Sequence, residues 1–219
     1  IGSYSLKADP AGNTYLVGYF FNSSISFGTI TLPNSGGTDG FIVKYDPSGT
    51  PLWANKVASS GYEVITGVSL DNIGNVYATG YFGSTPVNLG TTTLTSGGGD
   101  DAFIIKYNSS GVLSWAKSIG GSSGEQGMAI TTDGTNIFTT GFFNSPAINF
   151  DAITLNNTGP ANRMYVAKLN AAGNYIWAQE CGNINNSFSR SITTDYSGNA
   201  YICGSYYAAP ITFGTTILP

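Results

Sequence analysis

Residues 71–82 read DNIGNVYATGYF: an acidic residue, a Gly-Asn pair, a run of β-branched and aromatic residues, then a second glycine followed by two rings. The first half has the chemistry of a turn, because an Asp side chain accepts backbone N–H groups a few residues on and glycine takes the positive φ that reverses a chain. The second half has the composition of a strand. Three relatives of the stretch occur: DPAGNTYLVGYF from Asp9, DGTNIFTTGFF from Asp133 and DYSGNAYICGSYY from Asp195. The four aspartates, Asp9, Asp71, Asp133 and Asp195, keep a constant step of 62 residues. The same step separates Lys44, Lys106 and Lys168, and also Trp53, Trp115 and Trp177. Such markers define one repeat array over the whole chain.

Each unit supplies four strands. Strand A ends at the aspartate, B carries a glycine and an aromatic pair, C carries the lysine and D carries the tryptophan. No segment holds a 3.6-residue period, so helices are not expected. The A–B turns begin with Asp, and the C–D turns begin with Asp46, Asn108 or Asn170 and place Gly49, Gly111 or Gly173 three residues later, the pattern of tight turns. Between B and C lies a longer excursion such as ISFGTITLPNSGG, whose Ile25, Phe27, Ile30 and Leu32 alternate about Gly28 and suggest an extended segment with a bulge.

A 62-residue unit of four antiparallel strands suits one decorated blade of a β-propeller, a fold whose blades are sheets packed face to face. The fold class expected is therefore all-β, a β-propeller or an open part of one. The blades are read as residues 1–57, 58–119 and 120–182, with a partial fourth blade over 183–219. About three and a half units are present, and an open sheet edge invites pairing. The expected partners are thus the rest of a larger polypeptide or a second protein that covers the edge.

The series D-x-x-G-N-x-Y-x-x-G-Y-F, then D-x-F-I-x-K-Y-[DN]-x-x-G, then L-x-W-A resembles the bacterial β-propeller repeat family called SBBP. The resemblance extends over essentially the whole chain. It implies a secreted or cell-surface setting, mostly without a defined biochemical function, similar to repeat-rich surface proteins that Bacteroidetes-type bacteria export as type IX secretion substrates.

Charged residues make up 9% of the chain, against about 25% in an average globular protein. Eight Lys and Arg face twelve Asp and Glu, so no basic stripe exists for nucleic acid. No apolar run approaches the roughly 18 residues that insert directly into a bilayer. Histidine is absent, which removes a Ser-His-Asp site and the commonest metal ligand. No cofactor and no metal site are expected. The A–B turns concentrate a single carboxylate each, too few for calcium, and Asp39, Asp100 and Asp101, better placed for a metal, more often cap a turn.

The aromatic pairs of strand B, Tyr19 and Phe20, Tyr81 and Phe82, Phe142 and Phe143, and finally Tyr206, are the candidate ligand-binding residues, with one ring of each pair inside and the other near the loop end. The recurring tryptophans read as blade packing, and the lysines as structural residues whose ammonium reaches a carboxylate or carbonyls, Asp39 or Asp101 being candidate partners. A ring of lysines about a channel is the sharper alternative. Cys181 and Cys203 form either a disulfide or two small buried hydrophobes. Glycosidase chemistry needs two converging carboxylates, and Glu63, Glu125, Asp151 and Glu180 are the candidates, of which Glu63 and Glu125 are repeat equivalents. The chain is accordingly expected to be a non-enzymatic scaffold or adhesion module. The alternatives are a glycan-binding, lectin-like propeller and a polysaccharide-processing enzyme.

Overall fold

A computed structural model describes residues 1–83, 86–181, 186–195, 197–207, 210–213 and 215–218, with Phe213 described by its backbone alone. The reading that divides the third and fourth blades between 182 and 183 falls outside the described residues. Every regular element among the described residues is a strand.

The first sheet holds β1 (Gly2–Ala8), β2 (Thr14–Phe20), β5 (Asp39–Tyr45) and β6 (Pro51–Val57) in that spatial order, with the hairpin β3 (Ser24–Phe27) and β4 (Ile30–Pro33) between β2 and β5. The second holds β7 (Glu63–Leu70), β8 (Val76–Phe82), β11 (Asp101–Tyr107) and β12 (Leu113–Ile119), with the hairpin β9 (Val87–Leu89) and β10 (Thr92–Leu94). The third holds β13 (Glu125–Thr132), β14 (Asn136–Phe143), β17 (Arg163–Asn170) and β18 (Tyr175–Cys181), with β15 (Ala147–Phe150) and β16 (Ile153–Asn156). The fourth comprises β19 (Ser187–Thr194) and β20 (Ala200–Tyr206), followed by the hairpin β21 (Ile211–Phe213) and β22 (Thr216–Leu218). All ladders are antiparallel, as four-stranded β-propeller blades require.

Both faces of a central strand in the second sheet are apolar because that sheet lies between the first and the third. Phe103 and Ile105 pack with Tyr15, Val17 and Ile42 of the first sheet. Their neighbours Ala102 and Ile104 point the other way, onto Ile130, Ile137 and Tyr165 of the third. Each fully buried Ile or Phe contributes about 1.5–3 kcal/mol to this stacking.

The B–C excursion corrects the sequence reading. It is a tight hairpin rather than an extended segment bulged at Gly28. Gly28 and Gly90 open the two-residue turns with φ of 55° and 64°, and Asp151, at 54°, is the non-glycine residue in the same place. Positive φ at that point matches the twist of a two-residue hairpin, and Asp tolerates it better than most side chains. The second hairpin wedges against the preceding sheet: Val87, Leu89 and Leu94 share a core with Ile42 and Val57.

A true bulge occurs instead in every strand A. The register slips at Tyr4, Thr66, Met128 and Arg190, residues that are again 62 apart. The slip drives a strand A carbonyl against the strand B glycine: a Cβ on Gly80 would collide with the Val64 carbonyl oxygen. That collision explains why glycine precedes the aromatic pair in each unit.

Candidate functional site

The repeated aspartates occupy the A–B turns. Asp71 accepts the backbone N–H groups of Ile73 at 3.1 Å and Asn75 at 2.8 Å, the Asn75 amide at 2.7 Å and the Tyr77 hydroxyl at 3.0 Å. Asp9 and Asp195 repeat the whole set, and Asp133 bonds the N–H groups of Thr135 and Asn136. Both carboxylate oxygens of Asp71 are thereby engaged inside the turn.

The lysines and tryptophans form a seam between sheets. Lys44 Nζ donates to the Ser109 carbonyl of the next sheet at 3.4 Å and lies 5.1 Å from the centre of the Tyr15 ring. Trp53 Nε1 donates to the same carbonyl at 3.2 Å. Lys106 and Trp115 repeat the arrangement on the Ala171 carbonyl, at 3.0 and 3.2 Å. Lys168 lies over Phe138, and Trp177 packs in the core shared by the third and fourth sheets. The lysine partners are therefore carbonyls and rings, not Asp39 or Asp101. The lysines do not ring a channel, since Lys44 and Lys106 are committed to a neighbouring turn.

Acidic residues meet at the sheet boundaries. Asp39, Glu63, Asp101 and Glu125 are all buried without exposure. Glu63 accepts the N–H of Ser59 at 2.7 Å and the Ser59 hydroxyl, while Glu125 accepts the N–H groups of Gly121 at 2.6 Å and Ser145 at 3.2 Å. Burial pushes the Glu63 carboxyl up to about 7, with the nearby Asp39 adding to it. Burial likewise raises Glu125 and Asp101. Lys56 reaches Asp39 at 3.3 Å, so the first boundary holds a cation. Asp151 instead binds Lys117 at 2.8 Å, and Glu180 binds Arg163 at 2.7 Å. The four carboxylates that the sequence offers for hydrolysis, Glu63, Glu125, Asp151 and Glu180, thus each have a structural partner. Among the described residues no group of three or more His, Cys, Asp or Glu side chains is arranged to hold a metal ion.

The aromatic pairs divide as alternation requires. Phe20, Phe82 and Phe143 have no exposure and lie in the cores, so these three candidates do not face a ligand. Tyr19, Tyr81 and Phe142 are half-buried at the end where strands A begin and strands B finish. Tyr19 lies 5.8 Å from Tyr4, Tyr81 lies 6.4 Å from Tyr62, and Phe142 lies 4.9 Å from Phe188. Tyr206 is exposed on β20 beside an apolar cavity of about 520 Å³. Hydrogen-bonding side chains accompany the rings: the Tyr62 hydroxyl and the Gln126 amide both donate to Asp100.

Cys181 and Cys203 are free thiols on β18 and β20, and Cys203 is exposed, so the structure shows neither the disulfide nor the pair of buried hydrophobes. They line the same cavity from two different sheets without bonding. The bulged residues Tyr4, Thr66, Met128 and Arg190 were missed in the sequence, although they line a second cavity. The available signal was a position 62 residues apart whose identity changes in every unit.

Residues 176–205 match the SBBP family, a β-propeller repeat, over a segment that runs from β18 into β20. The chain is also 29% identical over 181 residues to an uncharacterized WD repeat-containing protein of Acanthamoeba polyphaga mimivirus. That similarity covers 74% of this chain and spans only 13% of the relative's length.

Proposed function

We propose that this chain of β-propeller repeats is a non-enzymatic interaction module, a scaffold or adhesion surface within a larger secreted or cell-surface bacterial protein. One observation carries the reading: the recurring carboxylates, lysines and tryptophans are engaged in turns and in joints between sheets, so the repeated chemistry serves the fold. The likeness to a WD repeat-containing protein supports a role in protein interaction, and its extent, 13% of that relative, supports a setting within a longer polypeptide. The apolar cavity beside β20, lined by Met164, Ile202 and Leu218, fits strands supplied by a partner or by another part of such a polypeptide. Few charges and many neutral polar side chains, with the likeness of the repeat to exported surface proteins, support the extracellular location. The test is a panel of polysaccharide and peptide substrates. No turnover is expected, and a hydrolytic activity abolished by Glu63→Gln or Glu125→Gln would overturn the proposal.

A second reading, glycan binding, is favoured by the half-buried rings of Tyr19, Tyr81 and Phe142, set beside Asp100 and Gln126. Aromatic faces stack on sugar rings while amides and carboxylates take the hydroxyls. A glycan array on the folded chain tests it. Binding that disappears in Tyr81→Ala supports it, and a blank array removes it.

A further inference from the structure

The strands β1, β7, β13 and β19 are successive neighbours, and their bulged segments line one cavity of about 200 Å³. The cavity takes the same positions from each unit, including Tyr4, Thr66, Met128 and Arg190, with Lys7 further along β1. A bulge leaves its extra residue outside the ladder and re-aims its side chain, so each sheet presents its unmatched residue to this common space.

The chain has eight Lys and Arg. Lys56, Lys117 and Arg163 are ion-paired, and Lys44, Lys106 and Lys168 lie over aromatic rings. Lys7 and Arg190 remain. Both are exposed, neither has a hydrogen-bond, ion-pair or ring partner among the described residues, and both line this cavity. Among the described residues no carboxylate lines it. Two like charges brought to one small space repel unless an anion lies between them. Elsewhere in the fold every cation is matched, so their convergence here without a partner marks a place for one. A guanidinium fork donates two parallel hydrogen bonds to an oxyanion, and an ammonium adds a point charge. The Thr66 hydroxyl is not a further donor, because it is spent on the Thr79 and Gly127 carbonyls at 3.2 and 2.7 Å.

We propose that this cavity binds a small oxyanion, a sulfate, phosphate or carboxylate group, between Arg190 and Lys7. The cavity volume limits the occupant to a single such group with a few further atoms. The group comes either as a free ion or as the charged substituent of a saccharide.

The experiment is titration of the whole chain with sodium sulfate at low ionic strength, followed by amide NMR, with sodium chloride at equal ionic strength as control. Saturable shifts at the Gly67 and Ala129 amides are expected. A Lys7→Gln, Arg190→Gln variant should bind about tenfold more weakly or worse, whereas Arg190→Lys, which keeps the charge but loses the fork, should show a loss smaller than that of the double variant. Because neither side chain has a partner, both variants should keep the unfolding midpoint. A second arm uses glucose 6-sulfate: tighter binding than inorganic sulfate assigns the anion to a sugar, and equal binding assigns it to the free ion. Sulfate shifts no larger than those of chloride, or unchanged binding by the double variant, would overturn the site.

Discussion

Gly111 lies directly against the indole of Trp53, in the neighbouring sheet: a Cβ built on it would stand 2.7 Å from Trp53 Cδ2. Its repeat equivalent Gly49 has the same backbone, φ 82° against 80°, but open space around it. The pair separates two reasons for glycine. Gly49→Ala should cost only the positive φ, about 1–2 kcal/mol. Gly111→Ala adds overpacking of the indole and should cost about 1–3 kcal/mol more. Denaturant midpoints of the two variants check this, and equal losses would mean that the Trp53 contact adds nothing.

Stability should fall between weakly acidic and neutral pH. Burial raises the Glu63 carboxyl from its ordinary 4.5 to about 7 in the folded chain, so the folded state binds more protons than the unfolded state in that window. The contribution is complete below the ordinary value and is lost as pH rises through 7, on the order of 3 kcal/mol in all. Hydrogen bonds from Ser48 and Asn199 hold Asp46 and Asp195 below the ordinary carboxylate range. Their share behaves oppositely: it is present above the ordinary value and lost as pH falls through the lowered one. Denaturation curves from pH 3 to 8 should therefore peak in the weakly acidic range. Glu63→Gln should flatten the neutral limb, and an unchanged slope in that variant would refute the assignment to Glu63.

Calcium should not matter to the A–B turns. Asp71 already accepts four hydrogen bonds from its own turn and strand, and a calcium site needs about 6–8 oxygens. Dialysis against a chelator is expected to leave the unfolding midpoint unchanged, while Asp71→Ala lowers stability by about 1–3 kcal/mol through the donors it strands. A midpoint that falls on chelation and recovers with calcium would reverse this reading.

The blade was legible because its signals are local. Asp71 announces its turn, alternation announces β11, and a constant step joins the copies, so strand number and order followed from residues a few positions apart. The excursion was misread because Gly28 serves a bulge and a two-residue hairpin equally well, and only what its arms pair with, the ladder of Ser24–Phe27 on Ile30–Pro33, distinguishes them. The Lys44 partner was hidden because Ser109 lies in the next unit, and a backbone carbonyl leaves no mark on the sequence. Tyr4, Thr66, Met128 and Arg190 share a position yet differ in chemistry, so a search for recurring residue types passes over the one place where the units differ and converge.

The two cysteines supply the last prediction. Both are free, yet their surroundings differ, since Cys203 is exposed and Cys181 is partly covered. Burial, reinforced by Glu180, pushes the Cys181 thiol up to about 11. At pH 8 about a thousandth of it is thiolate, the reactive form. Titration with a thiol reagent under native, non-reducing conditions should show one thiol reacting readily through Cys203 and a second, much slower one. Cys203→Ser should remove the fast phase alone, and unfolding should bring Cys181 to the ordinary rate. No titratable thiol in the unreduced protein would mean that the two are bonded.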